Sequence, residues 1–216
     1  SASVVSERET PGFMAEDVEG ALSFVSHAEA RWDIGRRSSL SISYSDKELL
    51  RDGALHSDAH ALNAYGRIAL DETSQIDLAL GWSELGLQGG ERIHGPVWYA
   101  EYSRETRLDG VTVGTHGSSP NFRVENGFYA QPGTQSIWLG GHRRFELSGP
   151  VQWITGGGEI VQSWEELDGS RPVPSSSHQG AFVDVRLPGQ TDLSGKVRHW
   201  DLRYAGSDFG GGRLEL

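Results

Sequence analysis

No cysteine occurs in the 216 residues. That removes disulfides, thiolate metal sites and cysteine nucleophiles from consideration. Lysine is nearly absent, with two against seventeen arginines; no physical role is assigned to that ratio. Acidic residues outnumber basic ones by 30 to 19, giving a formal net charge of -11. Nucleic acid is therefore not an expected partner, because neutralising phosphates requires a basic footprint. The single methionine is Met14, and no charged segment followed by an apolar one opens the chain, which reads as a mature, processed form. No apolar run approaches the roughly 20 residues that a membrane helix needs. This excludes helical spans only, since membrane β-strands need about ten alternating residues each.

What the chain does contain points to strands. Glycine accounts for 29 residues and hydrophobic side chains for only 36%, a load that helices tolerate badly. Seven Trp, six Tyr and seven Phe argue against disorder. The clearest segment is Leu62–Glu84, LNAYGRIALDETSQIDLALGWSE. Leu62, Ala64, Gly66, Ile68 and Leu70 share one side, and Asn63, Tyr65, Arg67 and Ala69 the other. In the second arm Ile76, Leu78, Leu80 and Trp82 alternate with Asp77, Ala79, Gly81 and Ser83. Side chains on a strand alternate with period two, so this is an antiparallel hairpin with one apolar and one polar face. If DETS closes the turn, Leu70 opposes Gln75 and Arg67 falls near Leu78.

The remainder reads as a meander. Candidate strands are 21–31, 39–45, 96–107, 111–115, 122–130, 136–147, 151–166, 180–187 and 196–205, with a last one at 212–216. KELLRDGALHSD and DGSRPVPSSS read as loops, and KELL is the only helix-like fragment. Gly156–Gly158 lack the Lys and Ser/Thr of a phosphate loop and suggest a bulge instead. Residues 1–19 are expected to form a flexible arm and 20–216 a single domain. The fold class is all-β, an up-and-down antiparallel meander of about 10–12 strands. A closed β-barrel is the leading expectation, and a soluble β-sandwich or jelly roll the alternative.

Several constellations carry possible chemistry. His56-Ser-Asp58-Ala-His60 would place two imidazoles and a carboxylate on one side of a strand, as a metal requires; the competing reading is a solvated loop. His116-Gly-Ser118-Ser-Pro-Asn121 could set an imidazole beside a hydroxyl. Over six residues it resembles the His-x-Ser-Asn signature of outer-membrane lipid A deacylases, with the Asn displaced; a Ser-Pro-Asn turn is the preferred reading. Glu101, flanked by Trp98, Tyr99 and Tyr102, would suit a sugar-stacking wall. Glu101, Glu105, Glu159, Glu165 and Glu166 could supply the carboxylate pair of a glycosidase; strand-surface carboxylates beside arginines are the plainer account. Arg67, Asp77, Glu101, Arg104, Arg123, Arg144, Arg186 and Arg198, set within strands, would line a polar lumen or form surface ion pairs of little weight.

Two functional expectations follow. The first is a bacterial outer-membrane β-barrel, a channel or structural protein with a polar lumen, taking a lipid bilayer and a small-molecule or saccharide solute as partners. The second is a secreted or periplasmic β-barrel or sandwich that binds, or less readily hydrolyses, a carbohydrate or small apolar ligand. No cofactor is implied, and no catalysis is assigned. Arg143, on the same side as Ile137, Leu139 and Phe145, speaks against the first expectation if it lies mid-membrane, where Arg costs roughly 2–4 kcal/mol. The two expectations separate on one fact: whether the Leu62/Ile68/Leu78/Leu80 face is turned outward or packed into a core.

Overall fold

The computed structural model describes residues 2–8, 22–51, 54–122, 132–166, 172–204 and 207–216. They form twelve strands: β1 (Ala2–Arg8), β2 (Leu22–Ile34), β3 (Ser38–Arg51), β4 (Ala54–Ala69), β5 (Ser74–Leu87), β6 (Arg92–Glu105), β7 (Asp109–Ser118), β8 (Thr134–Glu146), β9 (Trp153–Glu165), β10 (Val173–Leu187), β11 (Thr191–Tyr204) and β12 (Ser207–Glu215). The hydrogen-bonded order follows the sequence from β1 to β12, an antiparallel meander as expected. Among the described residues there is no α-helix, only a 3-10 turn at Pro188–Gln190. The sheet is not closed into a ring, and β1 and β12 are its two edges.

The strands run longer than the sequence pattern suggests. KELLR continues β3, and β4 starts at Ala54, so most of the loop expected at 47–58 is ladder. Cross-strand pairing outweighs the weak helix preference of a four-residue fragment, which is too short to nucleate a helix. The glycine run at 156–158 pairs in unbroken register with β8 and β10, without the expected bulge. The ladder does shift elsewhere, between Leu49 and Leu50 and between Pro174 and Ser176. Ala2–Arg8, in the stretch expected to be an arm, pair with β2. The candidate strand at 122–130 lies outside the described residues apart from Phe122.

Turn chemistry closes the hairpins. The β4–β5 turn is set by Leu70 N–H donating to Ser74 O at 2.9 Å. Leu70 thus meets Ser74 rather than Gln75, one residue away from the expected register. The Asp71 carboxylate accepts the Thr73 backbone N–H at 2.7 Å and its hydroxyl at 2.8 Å, an Asx turn. Those donors, the backbone N–H foremost, hold the Asp71 carboxyl below its ordinary range. In the β2–β3 turn Gly35 sits at φ 74°, a left-handed conformation that favours glycine.

The chain divides into two compact units, Ser1–Arg67 with Leu78–Trp98 and Ser118–Gly133, and Ile68–Asp77 with Tyr99–Gly117 and Thr134–Leu216. In the first unit Leu40, Ile42, Tyr44, Leu62, Leu80 and Trp82 are exposed, whereas Ser57, Ala59, Ala61, Ser83 and Leu85 are buried. Leu62 is 52% and Leu80 67% exposed, while Ser83 is fully buried. The second unit repeats the pattern: Ile137, Leu139, Ile160, Val183 and Val197 are exposed, while Asp77, Ser136 and Thr155 are buried. Among the described residues thirty large apolar side chains are exposed and only five apolar residues are buried. Among the described residues neither unit shows the large apolar core that holds a water-soluble sheet together.

Candidate functional site

The covered face of the second unit is polar, and its chemistry follows from register. In the second unit Gly114 pairs with Trp138 and His116 with Ser136, whereas Val113 pairs with exposed Leu139. Period two then places His116, Trp138, His142 and Arg144 together on the covered face. The Trp138 indole N–H donates to the Glu101 carboxylate at 3.2 Å. Its ring lies 5.8 Å from Tyr99 and 5.5 Å from His116, both tilted. A Cβ at Gly114 would overlap the indole, so glycine is what lets the ring lie over β7. Ser136 and Ser163 hydroxyls bond at 2.8 Å. His142 faces Glu105 at 3.4 Å and His178 faces Glu159 at 3.9 Å. Arg144 stacks 4.6 Å above Trp153 and donates from Nε to Thr155 Oγ1 at 3.3 Å.

The first unit carries a cluster of ionisable groups at one end of the exposed face. Asp46 pairs with His60 across the β3–β4 ladder. His60 Nδ1 lies 2.7 Å from Asp46, and Nε2 lies 3.0 Å from Asp58. The Tyr44 hydroxyl also reaches Nδ1, at 3.0 Å. Gly86 makes room for this cluster, since any Cβ there would strike the Asp58 carboxylate. Arg92 pairs with Glu84 on the same rim, and His94 stacks on Trp82 at 5.3 Å. The apolar run Tyr44, Leu62, Trp82 thus ends abruptly at a row of charge.

The candidates expected from sequence disperse. Glu101 and Tyr99 share the covered face. Trp98, Tyr102 and Arg104 occupy alternate positions of β6 and fall on its other side. The sugar-stacking wall is thereby reduced to Tyr99. The Cα atoms of Glu101 and Glu105 are about 13 Å apart along the strand, and their carboxylates take different partners, the Trp138 indole and the His142 imidazole. Ser118 is fully buried, and its hydroxyl accepts the Gly133 N–H at 3.2 Å. The His116 ring packs on Trp138 instead, so this stretch gives no exposed nucleophile. Arg67 donates to the Tyr65 hydroxyl at 3.1 Å, and buried Asp77 accepts from Gln75 at 2.9 Å. Asp58 and His60 do meet, but no metal-binding group of three or more His, Asp or Glu forms among the described residues. The side chain of His56 and all of Arg123 lie outside the described residues.

Arg143 is exposed on the apolar side, three residues before the end of β8, with its guanidinium 5.6 Å from the Phe145 ring. A cation so near a strand end can extend its head toward water while its stem covers apolar surface. The objection it raises to a membrane setting therefore weakens. The His60–Asp58 contact follows from the spacing of the His56-Ser-Asp58-Ala-His60 motif, whereas the His60–Asp46 pair and the Trp138–Glu101 bond depend on which residues of other strands come to lie beside them.

No known family pattern matches the chain, and no curated protein matches it. Among solved structures, it is similar to OccK5 (OpdH) of Pseudomonas aeruginosa, an outer-membrane β-barrel, with a TM-score of 0.50 at 10% identity. That match covers 89% of this chain and 56% of the other, so the chain spans a little over half the length of OccK5. OccK11 (OpdR) of the same organism matches with a TM-score of 0.40 at 14% identity, over 92% of this chain and 65% of that one. The β domain of the Bordetella autotransporter BrkA matches with a TM-score of 0.29 at 18% identity, over 89% and 90%. The likeness to OccK5 bears on the fold alone.

Proposed function

We propose that the chain is an outer-membrane β-barrel protein that passes small polar solutes along its covered face. The observation that carries this reading is the inversion of burial. Leu62, Leu80, Leu139 and Ile160 are exposed while Asp77, Ser83, Ser136 and Thr155 are buried. In water, exposing thirty large apolar side chains would sacrifice most of the hydrophobic stabilisation available to the fold, at roughly 25 cal/mol per Å². Against hydrocarbon the same surface costs nothing, and strands that alternate apolar-out and polar-in are what a membrane barrel requires. The covered face offers Glu101, His116, His142 and Arg144 as hydrogen-bonding and charged groups for a solute. The reading calls for no catalysis.

The test is recovery and conductance of the whole chain. It should require detergent for extraction, run with heat-modifiable mobility on a gel, and produce discrete conductance steps in planar bilayers. A stable monomer in detergent-free buffer would refute the membrane assignment. A folded, inserted protein that never conducts would refute solute passage alone.

A further inference from the structure

We infer that the covered face of the second unit holds a site for a small organic cation, an alkyl or quaternary ammonium, centred on Glu159 of β9. The inference rests on the proposed solute passage for its physiological meaning, and it names the class of solute. Its frame is an open depression of about 340 Å³ that lies wholly within this unit and runs from β6 to β11. Two carboxylates, Glu105 and Glu159, and two aromatic rings, Trp138 and Phe182, line it.

Register sets Glu159 in the middle. Its ladder partners are Gly140 of β8 and Gly180 of β10. Trp138 and Phe182 stand two residues from those glycines, at diagonal positions that aromatic and long side chains can reach across. The glycines leave the space beside Glu159 open, and a Cβ at Gly180 would come within 3.3 Å of its carboxylate. Phe182 lies over Gly157 and Glu105 over Gly110, where any Cβ would strike them. The Trp138 indole N–H is taken by Glu101, so Trp138 offers the depression ring surface alone, as Phe182 does. Aromatic π surface beside carboxylates attracts a cation, and a methylated ammonium needs no hydrogen-bond acceptor there.

The charge of the depression agrees. The Glu105 and Glu159 side chains are 70% and 45% exposed, so a ligand can reach both. Their nearest partners are His142 at 3.4 Å and His178 at 3.9 Å. An uncharged imidazole can donate a hydrogen bond but leaves the carboxylate its charge. Lys196 is the one Lys or Arg among the described lining residues. It sits at the β11 end, directly opposite Glu215 of β12. Arg198 faces Gly180 from β11, but its Nε is buried and it forms no ion pair with Glu159 among the described residues. Arg144 is held over Trp153. Two reachable carboxylates against one ammonium leave the depression acidic, in keeping with the chain's overall charge of -11.

The test is calorimetric titration of the full chain in an uncharged detergent and mildly alkaline buffer, which keeps imidazoles neutral. The probes are tetramethylammonium chloride at constant ionic strength and, separately, tert-butanol, an uncharged molecule of similar size. Saturable binding of tetramethylammonium and none of tert-butanol is expected. Glu159→Gln should weaken binding about fivefold, as for loss of an exposed charge partner. Trp138→Leu should weaken it by a similar factor, through loss of a cation–π contact. Lys196→Gln should not weaken it, which separates this site from one for anions. Glu84→Gln, in the first unit, should leave binding unchanged. Heat-modifiable mobility certifies that each variant is folded. The site is overturned by absence of saturable binding in the unaltered protein, by equal binding of tert-butanol, or by wild-type affinity in either Glu159→Gln or Trp138→Leu. A loss in Lys196→Gln as large as that in Glu159→Gln overturns it as well. Conductance without tetramethylammonium binding overturns the site but not solute passage, and binding without conductance does the reverse.

Discussion

Single residues decide how the polar face is furnished. Gly114 is the sharpest case: its missing side chain is the space the Trp138 indole occupies, and the Ala100 carbonyl closes the same space from behind. Gly114→Val should therefore displace the indole and break its bond to Glu101. The expected loss is about 1–3 kcal/mol, as for overpacking generally, read from urea unfolding of the inserted protein. Gly66, where a Cβ would meet nothing closer than 3.9 Å, should accept alanine with no measurable loss. A full glycine count of 29 signalled strands and turns. It did not reveal which glycines carry a neighbour's ring, because that depends on the partner strand's register.

At the scale of the element, alternation was legible and its consequences were not. The Leu62–Glu84 segment folds as a hairpin with Leu62, Ile68, Leu78 and Leu80 on its exposed side. The expected turn register failed by one position because Asp71 captures Thr73 and shortens the loop. KELL and the glycine run at 156–158 were misread for a common reason: each is judged by its own residues in a sequence, whereas a ladder is held by the strands on either side. Likewise Trp98 and Glu101 are close in sequence yet lie on opposite sides of β6, so proximity along the chain misassigned the sugar wall. The two faces of a hairpin predict opposite responses to charge. Leu80→Arg should cost about 2–4 kcal/mol in a bilayer, and Ser43→Arg, on the other face of β3, within about 0.5 kcal/mol. Unfolding of vesicle-inserted protein measures both, and equal costs would mean that the faces are misassigned.

For the whole molecule the reading rests on large apolar side chains lying outside in both units, with small residues and Leu49, Leu85 and Phe122 covered in the first and polar residues covered in the second. The all-β meander was readable from the sequence. Which way its apolar faces point was not, because a stripe of leucines packs equally well against lipid or against a second sheet. The edges β1 and β12 add a requirement, since backbone groups at a sheet edge cannot be left unpaired in hydrocarbon; in a bilayer both must find partners. The absence of cysteine makes the deciding measurement direct, because every introduced thiol is unique. Nitroxide labels at residues 62, 80, 139 and 160, and at 43 and 112 on the opposite faces, would be placed in vesicle-inserted protein and probed with oxygen and a water-soluble nickel complex. Labels at 62, 80, 139 and 160 should meet oxygen and be shielded from nickel, and those at 43 and 112 should show the reverse. Nickel access at positions 62 and 80 equal to that at 43 would contradict the lipid-facing assignment on which the account depends.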